Sequence, residues 1–463
     1  MRLRGVPGAL TLIAACQGEP GGVAPPVVPS IDAVTVAANP TNALSAVVTV
    51  RVRLADSVAV RYGAGPTLDS ATAAVVAAGE STVVPVLGLL PSTTYALRVV
   101  AYREDQAVPG GLMGFTTDPL PSDLPHYVAS GTDPSPGYVA FSAGMYGLVI
   151  DNTGRVVWYR RFTGGPGLNF QPQANGRYVA RPPTAAPATA WMEIDPLGNV
   201  TRTFGCARGL TARFHDLIAK PDGSYWLLCD ETRTMDLSAL GGVAGAQVMG
   251  TVVQHVSGAG TLLFEWSPFD HFQITDLDAA SRAGASVNWT HGNALDLDAD
   301  GNLIVSFRSL SEITKIDTRT GAVLWRMGGL RNQFTFEGGA NTGFARQHGV
   351  RVTSPGAPGG GNLMLLDNLG DPAGSRAERY VYDAQLRTAR LVASYGPTPA
   401  VIAQLGGTTQ ELPRGRTLVA FGNGDRVEEY DSSGSVVWHI VGTSGYVFRA
   451  QRISSLYTLA PAR

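Results

Sequence analysis

GLVIDNTGRVVWYR (147–160) and VEEYDSSGSVVWHI (427–440) are two copies of one unit at opposite ends of a long stretch of chain. Each reads as an alternating apolar strand, an Asp, a turn with Gly, and a second strand that runs into Trp. Period-two alternation is the pattern of a strand, not of a helix. Four more copies lie between them: MEIDPLGNVTRTF (192–204), TVVQHVSGAGTLLFEW (251–266), ITKIDTRTGAVLWRM (313–327) and YVYDAQLRTARLVASY (380–395). The third copy carries His255 where the others have Asp, and the fifth lacks the turn glycine. Six units spaced by roughly 45–65 residues leave room for four strands each. Long helical periodicity is absent. An all-β, six-bladed propeller follows, in which closure of the ring removes exposed sheet edges.

A second hairpin recurs between these units and is expected to form the inner half of each blade. It reads FQPQANGRYVARP (170–182), FHDLIAKPDGSYWLLCD (214–230), THGNALDLDADGNLIVSFR (290–308), QHGVRVTSPGAPGGGNLMLLDN (347–368) and TQELPRGRTLVAFGN (409–423). Three consecutive copies open on a histidine. His215 lies 8 residues before its turn glycine, His291 lies 10 before Gly301, and His348 lies 13 before Gly361. Equivalent positions on neighbouring blades converge on a propeller axis. Arg308 ends the strand paired with that of His291 and is expected at the same mouth. His126, His255, His271 and His439 are outside this register and read as structural.

Ahead of the repeats the chain divides further. Arg2 and Arg4 precede an apolar run from Val6 to Ala15, and Ile13-Ala14-Ala15-Cys16 is similar to a lipoprotein cleavage box. Residues 1–15 therefore read as an export signal, with Cys16 as a lipidation site and a periplasmic or outer-surface protein as the product. A plain secretory peptide is the alternative. Residues 16–29 form a Gly/Pro linker. Residues 30–118 hold short alternating strands, Ala46–Leu54, Val58–Tyr62, Ser81–Val86 and Tyr95–Tyr102. The run LLPSTTYALRV (89–99) resembles the tyrosine corner of a fibronectin type III or immunoglobulin-like β-sandwich. Residues 119–463 are the propeller.

Composition agrees. The chain has 463 residues, 56 of them Gly, only 16% charged, with a net charge of −2. That balance argues against a nucleic-acid partner or an anionic membrane held by bulk electrostatics, so any membrane contact is through the lipid. No stretch approaches the roughly 20 apolar residues of a span. Oligomeric state is left open, a homodimer included. Cys206 and Cys229 flank His215, and in an oxidising compartment they can form a disulfide or remain buried thiols.

Three imidazoles beside a guanidinium allow two chemistries. Three neutral histidines can bind Zn²⁺ or Mn²⁺, as in a metal-dependent propeller lyase or hydrolase. A fixed positive charge at Arg308 opposes a cation, however, and suits a tetrahedral oxyanion. A non-catalytic binding propeller on a lipid anchor is a third possibility. At this point a resemblance enters. Phe214-His215-Asp216, Trp289-Thr290-His291-Gly292-Asn293 with Ser306-Phe307-Arg308, and Gln347-His348-Gly349 resemble the bacterial arylsulfate sulfotransferases. SRAERY (375–380), FRAQR (448–452) and Leu456-Tyr457 also look like landmarks of that family. The chain is shorter than its enterobacterial members, which carry their disulfide elsewhere.

The resemblance implies a leading sandwich, a six-bladed propeller, an aryl sulfate donor and a phenol acceptor, with no cofactor. It makes His348 a nucleophile that becomes a sulfohistidine in a ping-pong cycle. His215, His291 and Arg308 would hold the sulfuryl oxygens, Asn293 would be a further donor, and His215 or His291 a proton donor to the leaving phenolate. The absence of a Walker-type phosphate loop fits an enzyme that uses no nucleotide donor.

Overall fold

The computed structural model describes residues 27–163, 168–181, 191–338, 343–353, 360–442 and 446–457; the candidate leader and Cys16 lie outside them. Six sheets, antiparallel but for a short parallel strand added to two of them, form a β-propeller-like ring. Their innermost strands are Ala450–Ile453, Leu168–Pro172, Thr211–Ala219, Gly292–Leu297, His348–Thr353 and Thr408–Leu412, and each touches the next around a closed circle. All six outer hairpins lie where the repeat predicts them, from Tyr146–Ile150 with Val156–Arg161 to Arg426–Tyr430 with Val436–Val441.

Five inner hairpins also match. The sixth is not a hairpin in sequence, because Tyr138–Ala143 pairs with Ala450–Ile453 from the far end of the chain, Phe141 facing Ala450. The last sheet borrows in the other direction: Ala129–Gly131 adds to Val436–Val441, Gly131 facing Trp438. Both ends of the propeller thus close the ring. Glu429 sits at this seam, fully buried, 2.7 Å from Arg452 and 3.2 Å from Arg416, and it accepts the Ser135 N–H at 3.0 Å.

Burial explains the repeat. Each sheet is covered on both faces, so apolar side chains form slabs between neighbouring sheets, such as Trp158, Phe170, Tyr178 and Ile194 between the first two. Each such side chain taken from water contributes roughly 1.5–3 kcal/mol. In the first and last units the terminal Trp also ties the unit to the next. Trp158 Nε1 donates to the Pro196 carbonyl at 2.7 Å, and Trp438 Nε1 to that of Asn152 at 2.9 Å, both acceptors lying in the Asp-Gly turn of the following unit. In the third unit it is Ser257, not His255, that stands at the Asp position: Gly260 N–H bonds its carbonyl as Gly154 bonds Asp151. His255 lies two residues earlier, stacked on Trp226 at 4.3 Å. In the fifth unit Arg387 takes the left-handed conformation (φ 55°) in the turn that lacks a glycine.

The leading residues form two sheets. One holds Ser30–Ala38, Ser45–Arg53 and Thr82–Leu87; the other holds Ser57–Gly63, Thr94–Arg103 and Gln106–Thr116 with two short strands, Ser70–Ala71 and Val75–Val76. They enclose a core that includes Val48, Val60, Val84 and Leu97. The Tyr95 hydroxyl accepts the Leu90 N–H at 2.8 Å, the bond back to the preceding loop that the sequence suggested. This unit is docked on the ring: Asn39 Nδ2 donates to the Leu197 carbonyl at 2.8 Å, and the Leu87 N–H donates to the Tyr457 hydroxyl at 3.0 Å. No helix among the described residues is long and apolar enough to cross a membrane.

Candidate active site

His215 and His348 sit on inner strands and His291 directly before the one between them, and in each the ladder slips at or just after the histidine. Register shifts fall between Ala212 and Leu217, between Gly292 and Ala294, and between His348 and Arg351. Such bulges re-aim side chains. Backbone conformation follows suit, with His291 at φ 48° and Gly349 at φ 63°. A β-carbon on Gly349 would stand 2.7 Å from the Gly407 carbonyl, so glycine is required there by both conformation and space.

The result is one cluster. Ring nitrogens of His215, His291 and His348 all lie within 4.8 Å of one another, with His215 Nε2 and His291 Nε2 3.3 Å apart. Donors at roughly 2.8 Å from one shared oxygen can stand up to about 5.6 Å apart, so the cluster is the right size for a small oxyanion. His215 and His348 are buried and His291 is half-buried. Burial, then Arg213, holds the His215 ring well below the ordinary imidazole range. Burial and Arg213 push His291 down to about 2. Burial pushes His348 down to about 4, Arg308 acting the same way while Asn368 and the Arg346 carbonyl oppose it. All three rings are therefore neutral at pH 7.

Arg308 follows its strand as expected. Its N–H donates to the His291 carbonyl at 3.0 Å and its guanidinium to the Gln404 carbonyl at 3.1 Å, while its buried Nε has no protein partner. Arg346, which the motif reading passed over, adds a second guanidinium near Arg308 and His291. Asn293 is fully buried and its Nδ2 donates at 2.6 Å to the Gln347 carbonyl, directly before His348. Its amide thus holds the His348 strand in place. Asp216 turns away from the cluster. It accepts from Leu295 N–H and Arg351, each at 3.0 Å, and lies 3.1 Å from Arg449. Cys206 and Cys229 are joined in a disulfide, which ties the segment before the His215 strand to that strand's neighbour.

Several supporting residues were missed. Arg213 Nε donates to His215 Nδ1 at 3.3 Å, and the Asn288 amide nitrogen lies 2.6 Å from His291 Nδ1. Asn368 Oδ1 lies 2.8 Å from His348 Nδ1. Arg449 and Asn169 meet at 2.8 Å behind the His215 carbonyl. Asn368 had a signal: it follows its inner-hairpin strand just as Arg308 does one blade earlier. The others come from strands and loops with no shared pattern.

The arrangement fits an anion better than a metal. A metal-bound histidine donates its second ring N–H to a carboxylate, carbonyl or water. Here His215 Nδ1 faces a guanidinium donor, so a metal on Nε2 would require an imidazolate. Among the described residues no carboxylate joins the cluster to offset a cation. A separate cleft of about 640 Å³ lies between the sandwich and the ring, lined by Tyr62, Tyr95, Tyr138 and Tyr457 among others. It lacks the histidines, and two of its tyrosine hydroxyls are engaged by Leu90 and Leu87. The converging donors are those of the histidine cluster.

Residues 206–443, just over half of the chain, match the arylsulfotransferase (ASST) family. The chain belongs to that family. The matched span includes all three histidines, Arg308 and Asn368, and this arylsulfotransferase-family chain accordingly has small aryl compounds as its expected substrates. No curated protein sequence matches it. Among solved structures, a protein of unknown function from Bacteroides caccae is similar over 68% of this chain and 98% of its own, at 12% identity and TM-score 0.43. A virginiamycin B lyase from Staphylococcus aureus is similar over 67% of this chain and 87% of its own, at 9% identity and TM-score 0.35. Likenesses at this level say nothing about chemistry.

Proposed function

We propose that the protein is a nucleotide-independent arylsulfate sulfotransferase that moves a sulfuryl group from a phenolic sulfate ester to a phenol through a sulfohistidine on His348. The observation that carries this is the cluster itself: three neutral imidazoles within 4.8 Å, flanked by guanidiniums and, among the described residues, joined by no carboxylate. Sulfuryl transfer, like phosphoryl transfer, passes through a loose transition state, where positioning and charge stabilisation dominate. His348 attacks sulfur, the S–O bond to the aryl group breaks, and the phenolate leaves with the electron pair. His215, His291 and Arg308 hold the sulfuryl oxygens. Because both rings are neutral at pH 7, they serve as hydrogen-bond donors instead of delivering a full proton. A phenolate acceptor then attacks the sulfohistidine and returns the electron pair to His348.

Within the same reading, the leading sandwich is a fibronectin type III spacer. Residues 1–15 export the enzyme, and lipidated Cys16 anchors it. The test is transfer from 4-nitrophenyl sulfate to phenol by purified protein. Donor alone should add the mass of one sulfuryl group to the peptide containing His348, and phenol should discharge it. Full transfer activity in His348→Asn would refute the mechanism.

A further inference from the structure

Three rings of one chemical kind share this pocket, yet the proposed reaction needs one of them to offer a lone pair and the others to offer N–H. We infer that Asn368 and Arg213 are positioning residues that make two of the rings unlike, leaving His348 with its proton on Nδ1 and His215 with its proton on Nε2. The consequence for catalysis rests on the sulfotransferase reading; the proton positions themselves do not.

The assignment starts from Asn368, whose amide orientation is decided by its surroundings. Its Nδ2 donates to two carbonyls, Ala403 at 2.6 Å and Gly406 at 3.0 Å, which leaves Oδ1 to face His348 Nδ1 at 2.8 Å. An amide oxygen can only accept, so the ring must carry its proton on Nδ1, and Nε2 is the bare nitrogen. Asn368 is itself buried at 1% exposure, so water does not compete for that bond.

The His215 ring is set the opposite way. A guanidinium cannot accept a hydrogen bond, so with Arg213 Nε at its Nδ1, neutral His215 carries its proton on Nε2. That Nε2–H lies 3.3 Å from His291 Nε2, within hydrogen-bond reach of it. In the transfer step the Nε2 lone pair of His348 forms the N–S bond while the aryl S–O bond breaks onto its oxygen. The Nδ1 proton stays on the ring, and Asn368 Oδ1 receives the positive charge that develops there.

The experiment labels the seven histidines with ¹⁵N and reads the proton position on each ring from two-bond ¹H–¹⁵N correlations in the wild-type protein at pH 7. Single histidine variants assign the signals. The expected result is an Nδ1-protonated His348 and an Nε2-protonated His215; a His348 proton on Nε2 or a His215 proton on Nδ1 overturns the inference. In Asn368→Leu the Nδ1 preference should vanish and kcat should fall about 10–100-fold, the worth of one buried hydrogen bond. The KM for 4-nitrophenyl sulfate should change far less. Unchanged kcat in a folded Asn368→Leu protein also overturns the inference, and if that variant does not fold, the wild-type spectrum decides alone. The expected proton positions in a protein that transfers no sulfuryl group would refute the function but not the assignment.

Discussion

Lowering the pH from 7 to 5 should destabilise the fold through the buried histidines, and His348 supplies a share of known size. Its ordinary value is 6.5 and the folded ring is pushed down to about 4. A histidine depressed in this way favours the folded state above pH 6.5, and that stability is lost as the pH falls toward the folded value. At pH 5 an unfolded ring is about 97% protonated and the folded one about 10%, a difference worth roughly 2 kcal/mol. His291, pushed lower still, contributes a similar amount. At full protonation the His348 share approaches roughly 3 kcal/mol. The assay is urea denaturation of wild type and His348→Gln at both pH values. The variant should lose about 2 kcal/mol less than wild type on going from pH 7 to 5. Equal losses in the two proteins would show that His348 is not held neutral by its pocket, and the case for a neutral nucleophile would fall with it.

Three further outcomes follow from burial and charge. Glu429→Gln leaves Arg452 without its carboxylate at the ring seam, while Arg416 keeps Asp133, and urea denaturation should show a loss of roughly 3–5 kcal/mol. Glu378 is raised to about 8 by burial and then by Asp367, while its carboxylate still accepts from Tyr380. The folded state therefore binds the extra proton, and stability falls as the pH rises from the unfolded value toward 8. Glu378→Gln should stabilise by roughly 3 kcal/mol at pH 7 and by almost nothing near pH 4.5, measured by the same denaturation series. Replacing Cys206 and Cys229 together by Ala opens a crosslink of sequence separation 23. It should cost about 3 kcal/mol in the chain-entropy account, with the His215 strand gaining hydrogen exchange ahead of the other inner strands.

The repeat was legible because each unit is local: two strands and a turn within about fifteen residues, in four units with a closing Trp, each drawn by its own alternation. That was enough to place all six outer hairpins, five inner ones and the three register histidines. His255 was set in the wrong slot because spacing was counted without the turn hydrogen bonds that define the unit, and these assign the slot to Ser257. The resemblance offered Asn293 as a donor to substrate; only the structure showed that its amide also donates to the Gln347 carbonyl on the neighbouring blade.

Sequence alone therefore determined the repeat, the strands and the shared position of His215, His291 and His348, since each depends on neighbours a few residues away. Only the tertiary structure decided how the ring closes, because Phe141 meets Ala450, and Trp438 meets Gly131, across some three hundred residues. It also decided what distinguishes the three rings. The partners that orient them are Arg213, Asn288 and Asn368, and the last is held by the Ala403 and Gly406 carbonyls from the following blade. A hydrogen bond between side chains depends on where blades bring their edges together, and no local pattern of residues encodes that distance.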